Sequence, residues 1–459
     1  MNSLSTRQDP QPQQVAADRL HWADQQLAEI QRLSRLFPDL PVEALVKEDL
    51  LRIGVSFTRE SLHYCSNYKS KSYFIFSFDM VPIESMDQQE NLRAPEEIQL
   101  VAGPWKFNRT TVSVRVNPHS PWRIDVAGDS LALFCGEEEI STVQLQKIPD
   151  YYQQNLESGQ PVNEVAPTIE WGYLIYLTVY RKCQYFGFKE ECRFCDINEN
   201  YRQQVAAGRP YRTVKPMDEV LEALSIIDHL DDVSHAYTLT GGSIIRKLRG
   251  QGEAEFYAAY ARAIEERFPG RWIPKAVTQA LPVSEQQILK DAGIQIYHPN
   301  YEIWDERLFP LLCPGKETYV GRSEWHRRII DAVDVFGAAN VIPNFVAGIE
   351  MSRPHGYTDP EAAVESTREG LDFFMSQGVC PRFTVWCPEP LSPLVKEQGA
   401  VGEAQPPAPL EYHARLLVAW RDTHQKHQLP VPPGYGPPGT GNAIFSVSSF
   451  MDVIRIPQE

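Results

Sequence analysis

The chain has 459 residues, with 44 Lys and Arg against 60 Asp and Glu and a formal net charge of -16. A chain this long can bury a large core and has room for more than one domain, which excludes a disulfide or zinc mini-fold. The acidic balance repels phosphate backbones and acidic lipid surfaces, so neither nucleic acid nor a membrane is expected as a partner.

Residues 1–14 are rich in Gln and Pro and are expected to be disordered. They carry no apolar core of a signal peptide, and no window of the chain approaches the ~18 apolar residues of a spanning helix, so a soluble cytoplasmic protein is expected. Residues 15–52 place Leu20, Trp22, Leu27, Ile30, Leu33 and Leu36 at helical spacing, interrupted by Pro38 and Pro41, which predicts two helices. From Ser72 to Gln146 the pattern turns to short β-rich runs, among them Tyr73–Phe78, Thr111–Val116 and Leu131–Phe134. Residues 15–165 thus read as an α+β accessory domain.

Residues 166–400 alternate strand-length apolar runs with helical segments. The strands are Tyr173–Tyr180, Ala236–Thr240, Trp272–Thr278, Ile294–His298, Val341–Val346 and Arg382–Trp386. Pro216 opens one helix, Gly270 closes the next, Ser284 and Gln287 have capping-box spacing, Gly293 and Gly337 follow helix ends, and Thr358-Asp359-Pro360 starts another. Six β/α units in succession imply parallel strands, in a doubly wound sheet or a partial (β/α)6 barrel. Residues 401–459 hold a helix and a Pro/Gly-rich closing segment. Within it, Gly436–Ala443 imitates a phosphate loop, but Asn442 and Ala443 stand where the lysine and the hydroxyl would be.

The eight cysteines are too few for a disulfide framework in so long a chain. Three of them, Cys183, Cys192 and Cys195, form C-x8-C-x2-C directly after the first strand of the alternating region. An iron-sulfur cluster usually takes four cysteines, so three on one loop would leave one iron open to an external ligand. Structural zinc and plain buried thiols are the alternatives; for zinc, His229 and His235 are the nearest downstream histidines and lack finger spacing. Cys65, Cys135, Cys313, Cys380 and Cys387 are scattered and read as buried thiols.

This array resembles the radical S-adenosylmethionine (SAM) superfamily, and most of all its biotin and lipoyl synthase branch. Phe194 holds the aromatic place before the last cysteine, although the first cysteine gap is five residues longer than in the family. Thr240-Gly241-Gly242-Ser243 is similar to the Gly-Gly-Glu segment that receives the SAM amino group. His298-Pro299-Asn300-Tyr301-Glu302 is similar to the ribose-binding Asn-x-Glu, and Tyr319–Arg322 to a Tyr-x-x-Arg whose guanidinium takes the SAM carboxylate. Asn344–Glu350, with Gly348, is similar to the adenine-binding strand.

The resemblance implies a partial (β/α)6 barrel and a 4Fe-4S cluster on Cys183, Cys192 and Cys195. It implies SAM held by Phe194, Gly241, Gly242, Ser243, Asn300, Glu302, Arg322 and Gly348. Reductive cleavage of SAM would release a 5′-deoxyadenosyl radical that acts on a small molecule, with an electron donor such as flavodoxin or ferredoxin. A zinc-stabilised, non-catalytic binding or scaffold protein with a barrel shell is the alternative reading.

Overall fold

The computed structural model describes residues 12–68, 93–206, 208, 211–398, 405–432 and 445–449. The run Tyr73–Phe78 and the phosphate-loop imitation Gly436–Ala443 lie outside the described residues. Helix α1 spans Pro12–Leu36 and α2 Val42–Ile53; strand β1 (Ser56–Phe57) and helix α3 (Arg59–His63) follow. Strands β2 (Glu97–Ala102), β3 (Phe107–Ser113), β4 (Trp122–Ala127), β5 (Ser130–Cys135) and β6 (Glu138–Leu145) complete a six-stranded sheet of order β1-β4-β5-β6-β2-β3. Only β1 pairs parallel in it. Leu45, Leu51, Val112, Trp122 and Leu133 are buried between its elements.

After the short β7 (Thr168–Ile169), the alternation predicted from periodicity is present. It runs β8 (Leu174–Tyr180), α4 (Ile197–Ala206), α5 (Met217–Leu230), β9 (Ala236–Gly241), α6 (Glu253–Arg267), β10 (Ile273–Thr278), α7 (Val283–Asp291) and β11 (Ile296–Pro299). It continues with α8 (Arg322–Phe336), β12 (Asn344–Ala347), α9 (Pro360–Met375) and β13 (Arg382–Val385), and α10 spans Leu410–His427. β8, β9, β10 and β11 pair parallel in sequential order, and β12 pairs parallel with β13. Parallel bridges Tyr297–Val341 and Glu302–Phe345 join the two sets. Six strands in unbroken sequential order make an open (β/α) barrel; a doubly wound sheet reverses its strand order midway.

Every residue of β8 is buried, as expected of a strand covered on both faces. Asp359 caps α9, accepting the Ala362 N–H at 3.0 Å with Pro360 behind it. The Ser284–Gln287 capping box does not form: Pro282 is the N-cap of α7, and no side chain caps that helix. Proline fixes the helical approach two residues too early for Ser284 to act.

Residues 445–449 join the N-terminal sheet and α2 to the last barrel strand. Lys47 Nζ donates to Phe445 O at 2.7 Å, Ser113 N to Ser446 O at 2.9 Å and Val385 N to Val447 O at 3.1 Å, which ties α2 and β3 to β13. Among the described residues, no helix is long and apolar enough to cross a membrane.

Candidate functional site

Cys183 lies three residues past the carboxyl end of β8, and Cys195 lies two residues before α4. The intervening loop is fixed by its own backbone and by Asn198. That side chain accepts the Cys183 N–H at 2.9 Å and donates to Tyr185 O at 2.7 Å, pinning both ends of the turn after the first cysteine. Gly187, at φ +95°, supplies the left-handed residue; its N–H donates to Glu191 Oε1 at 2.7 Å, and its carbonyl accepts from Glu190 and Glu191, both at 3.0 Å.

The long first gap is packed from both sides. Gln184 N donates to Ser243 O at 2.9 Å, Gly315 N to Glu190 O at 3.1 Å and Arg193 N to Leu312 O at 2.8 Å. A Cβ on Gly242 would overlap Lys182 O and Cys183 Cα, so the second glycine of the pair is required for β9 to seat the cysteine loop.

The three thiols act on one another electrostatically. Burial first, and Cys192 second, push Cys183 up to about 12, although backbone N–H groups of Ser243 and Tyr185 point at its sulfur. Burial and the neighbouring Asp196 likewise raise Cys195, whose sulfur accepts from Ile197 N. Cys192 shifts the other way: the Cys313 thiol donates to it, and the Lys316 ammonium favours its thiolate.

Cys313, isolated in the sequence and read as a buried thiol, is buried as expected, and its thiol sits against the second cysteine of the loop. Lys316 is buried, with Nζ 2.6 Å from Glu302 Oε1 and 3.0 Å from Asn300 O, and its charge survives burial because Glu302 and the two thiols favour it. Cys192 and Phe194 pack on a small apolar cluster that includes Phe309, Leu312, Ile349 and Trp386, which dries the underside of the loop.

A cavity of about 250 Å³ opens beside Cys195. Its wall includes Phe194, Gly241, Asn300, Asn344, Arg382 and Glu389. Asn300 accepts the Asn344 N–H through Oδ1 at 3.0 Å, which couples β11 to β12 at the cavity edge.

The residues marked in the sequence thus fall into three groups. Phe194, Gly241 and Asn300 line the cavity with Cys195. Gly242, Ser243 and Glu302 stand behind the cysteines, as loop seat, N–H donor to Cys183 and partner of Lys316.

Arg322 and Gly348 face elsewhere. Arg322 donates from Nε and Nη2 to Trp304 O at 2.9 and 2.6 Å and lies over the Trp304 ring. Gly348, at φ +97°, has no room for a Cβ, which would fall 2.8 Å from Ala408 Cβ. Asn198, Cys313, Lys316 and Arg382 carry no local signal that separates them from ordinary polar or apolar positions; only the fold gathers them.

Three thiols with N–H, S–H and ammonium groups around them are a donor set for a metal centre that carries excess negative charge. Binding there would displace the protons that burial holds on Cys183 and Cys195. Among the described residues, no three His, Cys, Asp or Glu side chains are gathered closely enough to hold a single metal ion. One zinc at ~2.3 Å from each sulfur asks for tighter convergence than a cube, whose thiolates ligate separate irons.

No protein-family model matches the chain, and no curated protein matches it. Among solved structures it is similar to HydG, a maturase of the FeFe-hydrogenase, at TM-score 0.37 and 14% identity, over 61% of this chain and 60% of that one. It is also similar to methylornithine synthase, PylB, at TM-score 0.37 and 13% identity, over 64% of this chain and 82% of that one. A third is the cobalamin-dependent S-adenosylmethionine radical enzyme OxsB, at TM-score 0.28 and 12% identity, over 60% of this chain and 39% of that one. The chain spans 60% of the length of HydG.

Proposed function

We propose that the chain is a radical SAM enzyme, with a 4Fe-4S cluster ligated by Cys183, Cys192 and Cys195 and SAM seated in the adjoining cavity. The observation that carries this reading is the placement of Cys183, Cys192 and Cys195 on one loop after the first barrel strand, partly exposed and near enough to shift one another's ionisation, with Cys195 lining the adjoining cavity. That loop lies at the carboxyl ends of parallel barrel strands, where (β/α) barrels place their chemistry.

When bound and reduced, the cluster supplies an electron to the SAM sulfonium, whose cleavage gives methionine and a 5′-deoxyadenosyl radical. The chain's own residues do the positioning. Asn198 and Gly242 hold the cysteine loop in register with β9. Ser243 N, Tyr185 N and Ile197 N offset thiolate charge, and Lys316 balances the side facing Glu302. Phe194 and Trp386 exclude water from the cysteine side of the cavity, and Gly241 and Asn300 present polar backbone and amide groups where SAM enters.

A low-potential reductant of the flavodoxin or ferredoxin type would deliver the electron. Anaerobic reconstitution with iron and sulfide, followed by SAM and dithionite, tests the assignment. Reductant-dependent 5′-deoxyadenosine is expected; stoichiometric zinc uptake with no iron would overturn it.

A further inference from the structure

The cavity is electrically polarised along the barrel axis. At the cysteine end its wall holds the carboxylates of Asp196 and Glu389; at the other end it holds the guanidinium of Arg382, the first residue of β13. Seven positions of chain separate Arg382 from Glu389, so the two charges mark opposite ends of the last strand and its extension.

Strand alternation carries the basic end further down. Val277 and Asn300 line the cavity, which places Lys275 and His298 one inward step below them on β10 and β11. Lys275 is 1% exposed and lies over the Tyr173 ring; burial lowers its ammonium to about 8, against the pull of the Glu170 carboxylate. His298 is buried and held neutral by burial and by the neighbouring Arg382 and Lys275 charges, with Nδ1 2.7 Å from Ile342 O. Glu170 thus offsets Lys275, and His298 adds no charge.

Arg382 differs from its neighbours. Its Nε is buried and has no hydrogen-bond partner, and among the described residues no carboxylate pairs with it. Its guanidinium lies 5.0 Å from the centre of the Phe445 ring, which closes the floor below it. Asn344 and Tyr176 stand beside it on the wall, but Asn344 is engaged with Phe345 O and Thr384, and Tyr176 with Thr240. Arg382 as a whole is half-buried, so its guanidinium also reaches the cavity it lines, where an anion can meet it.

We infer that the barrel floor binds a small-molecule substrate through a carboxylate, which Arg382 receives on the guanidinium nitrogens that reach the cavity. The fork geometry of guanidinium matches two carboxylate oxygens side by side, and its wall neighbours Asn344 and Tyr176 are already engaged, which favours carboxylate over phosphate. The acidic end of the cavity suits the cationic cofactor, so the two ligands sort by charge: SAM at Asp196 and Glu389, substrate at Arg382. The inference deepens the radical reading and rests on it for the cofactor's place.

The test uses the full chain, metal-free and anaerobically reconstituted with SAM, and probes it by ligand-detected NMR with propionate, propionamide and inorganic phosphate. Saturable propionate binding is expected, weakened at least tenfold in Arg382→Gln and less in Arg382→Lys, with propionamide silent. SAM affinity by calorimetry is expected to stay within twofold in both variants.

Equal propionate binding in Arg382→Gln would overturn the inference, as would phosphate binding tenfold tighter than propionate. A fall in SAM affinity with propionate binding intact would also overturn it, by moving Arg382 to the cofactor. If the wild type takes up no iron, the radical reading fails, while the metal-free propionate titration still reports on Arg382.

Discussion

Two groups of buried polar side chains, one in the N-terminal region and one at the cysteine loop and its cavity, are built on different rules. In the one between α2, α1 and the N-terminal sheet, Arg52 donates to Asp49 Oδ1 and Gln26 Oε1, both at 2.7 Å, and Trp122 Nε1 donates to Asp49 Oδ2 at 2.6 Å. Arg52 and Asp49 thus meet each other and their neighbours inside the chain. Around the cysteine loop the sulfurs receive N–H and S–H donors, the Lys316 ammonium acts on Cys192, and Arg382 on the cavity wall keeps an unmet Nε. A closed network specifies how elements pack; an open one leaves valence for a ligand.

The contrast is broken most severely at Asp49. Asp49→Ala strands the buried Arg52 charge, and urea unfolding is expected to show a loss of about 3–5 kcal/mol. The fraction that stays folded should load iron like the wild type.

A smaller effect is expected at His424, which burial lowers to about 4. The unfolded chain takes up this proton near pH 6.5, so its contribution is complete above that pH and is lost as pH falls toward about 4. His424→Phe, keeping the stack on Trp420, should flatten the stability profile across that window by about 1–2 kcal/mol, given partial solvent screening.

The smallest effect is expected on the open side. Cys313→Ala removes the thiol donor from Cys192, so the reconstituted cluster should remain, with a midpoint potential lower by tens of millivolts in a redox titration. An unchanged potential would reduce Cys313 to packing.

The barrel was legible in the sequence because its strands are buried on both faces and read as apolar runs: the boundaries expected for Ala236–Thr240 and Trp272–Thr278 differ by one residue from the strands observed. Asp359-Pro360 was legible as a helix start because a cap is local chemistry. The Ser284–Gln287 spacing misled because Pro282 opens α7 first. Spacing located the cysteine loop, but its environment depends on contacts across the fold: Cys313 is 121 positions from Cys192, and Arg382 reaches the cavity only through strand alternation on the last strand. Arg322 shows the converse, since its motif position says nothing of the Trp304 carbonyl that engages it.

The central claim is that three sulfurs of one loop hold a cluster, and the most direct measurement is iron and sulfide content with visible absorption after anaerobic reconstitution of wild type and Cys195→Ala. The account predicts about four irons per chain and broad charge-transfer absorption for the wild type, and neither for the variant, whose far-ultraviolet dichroism should match. Equal iron in both proteins would contradict it.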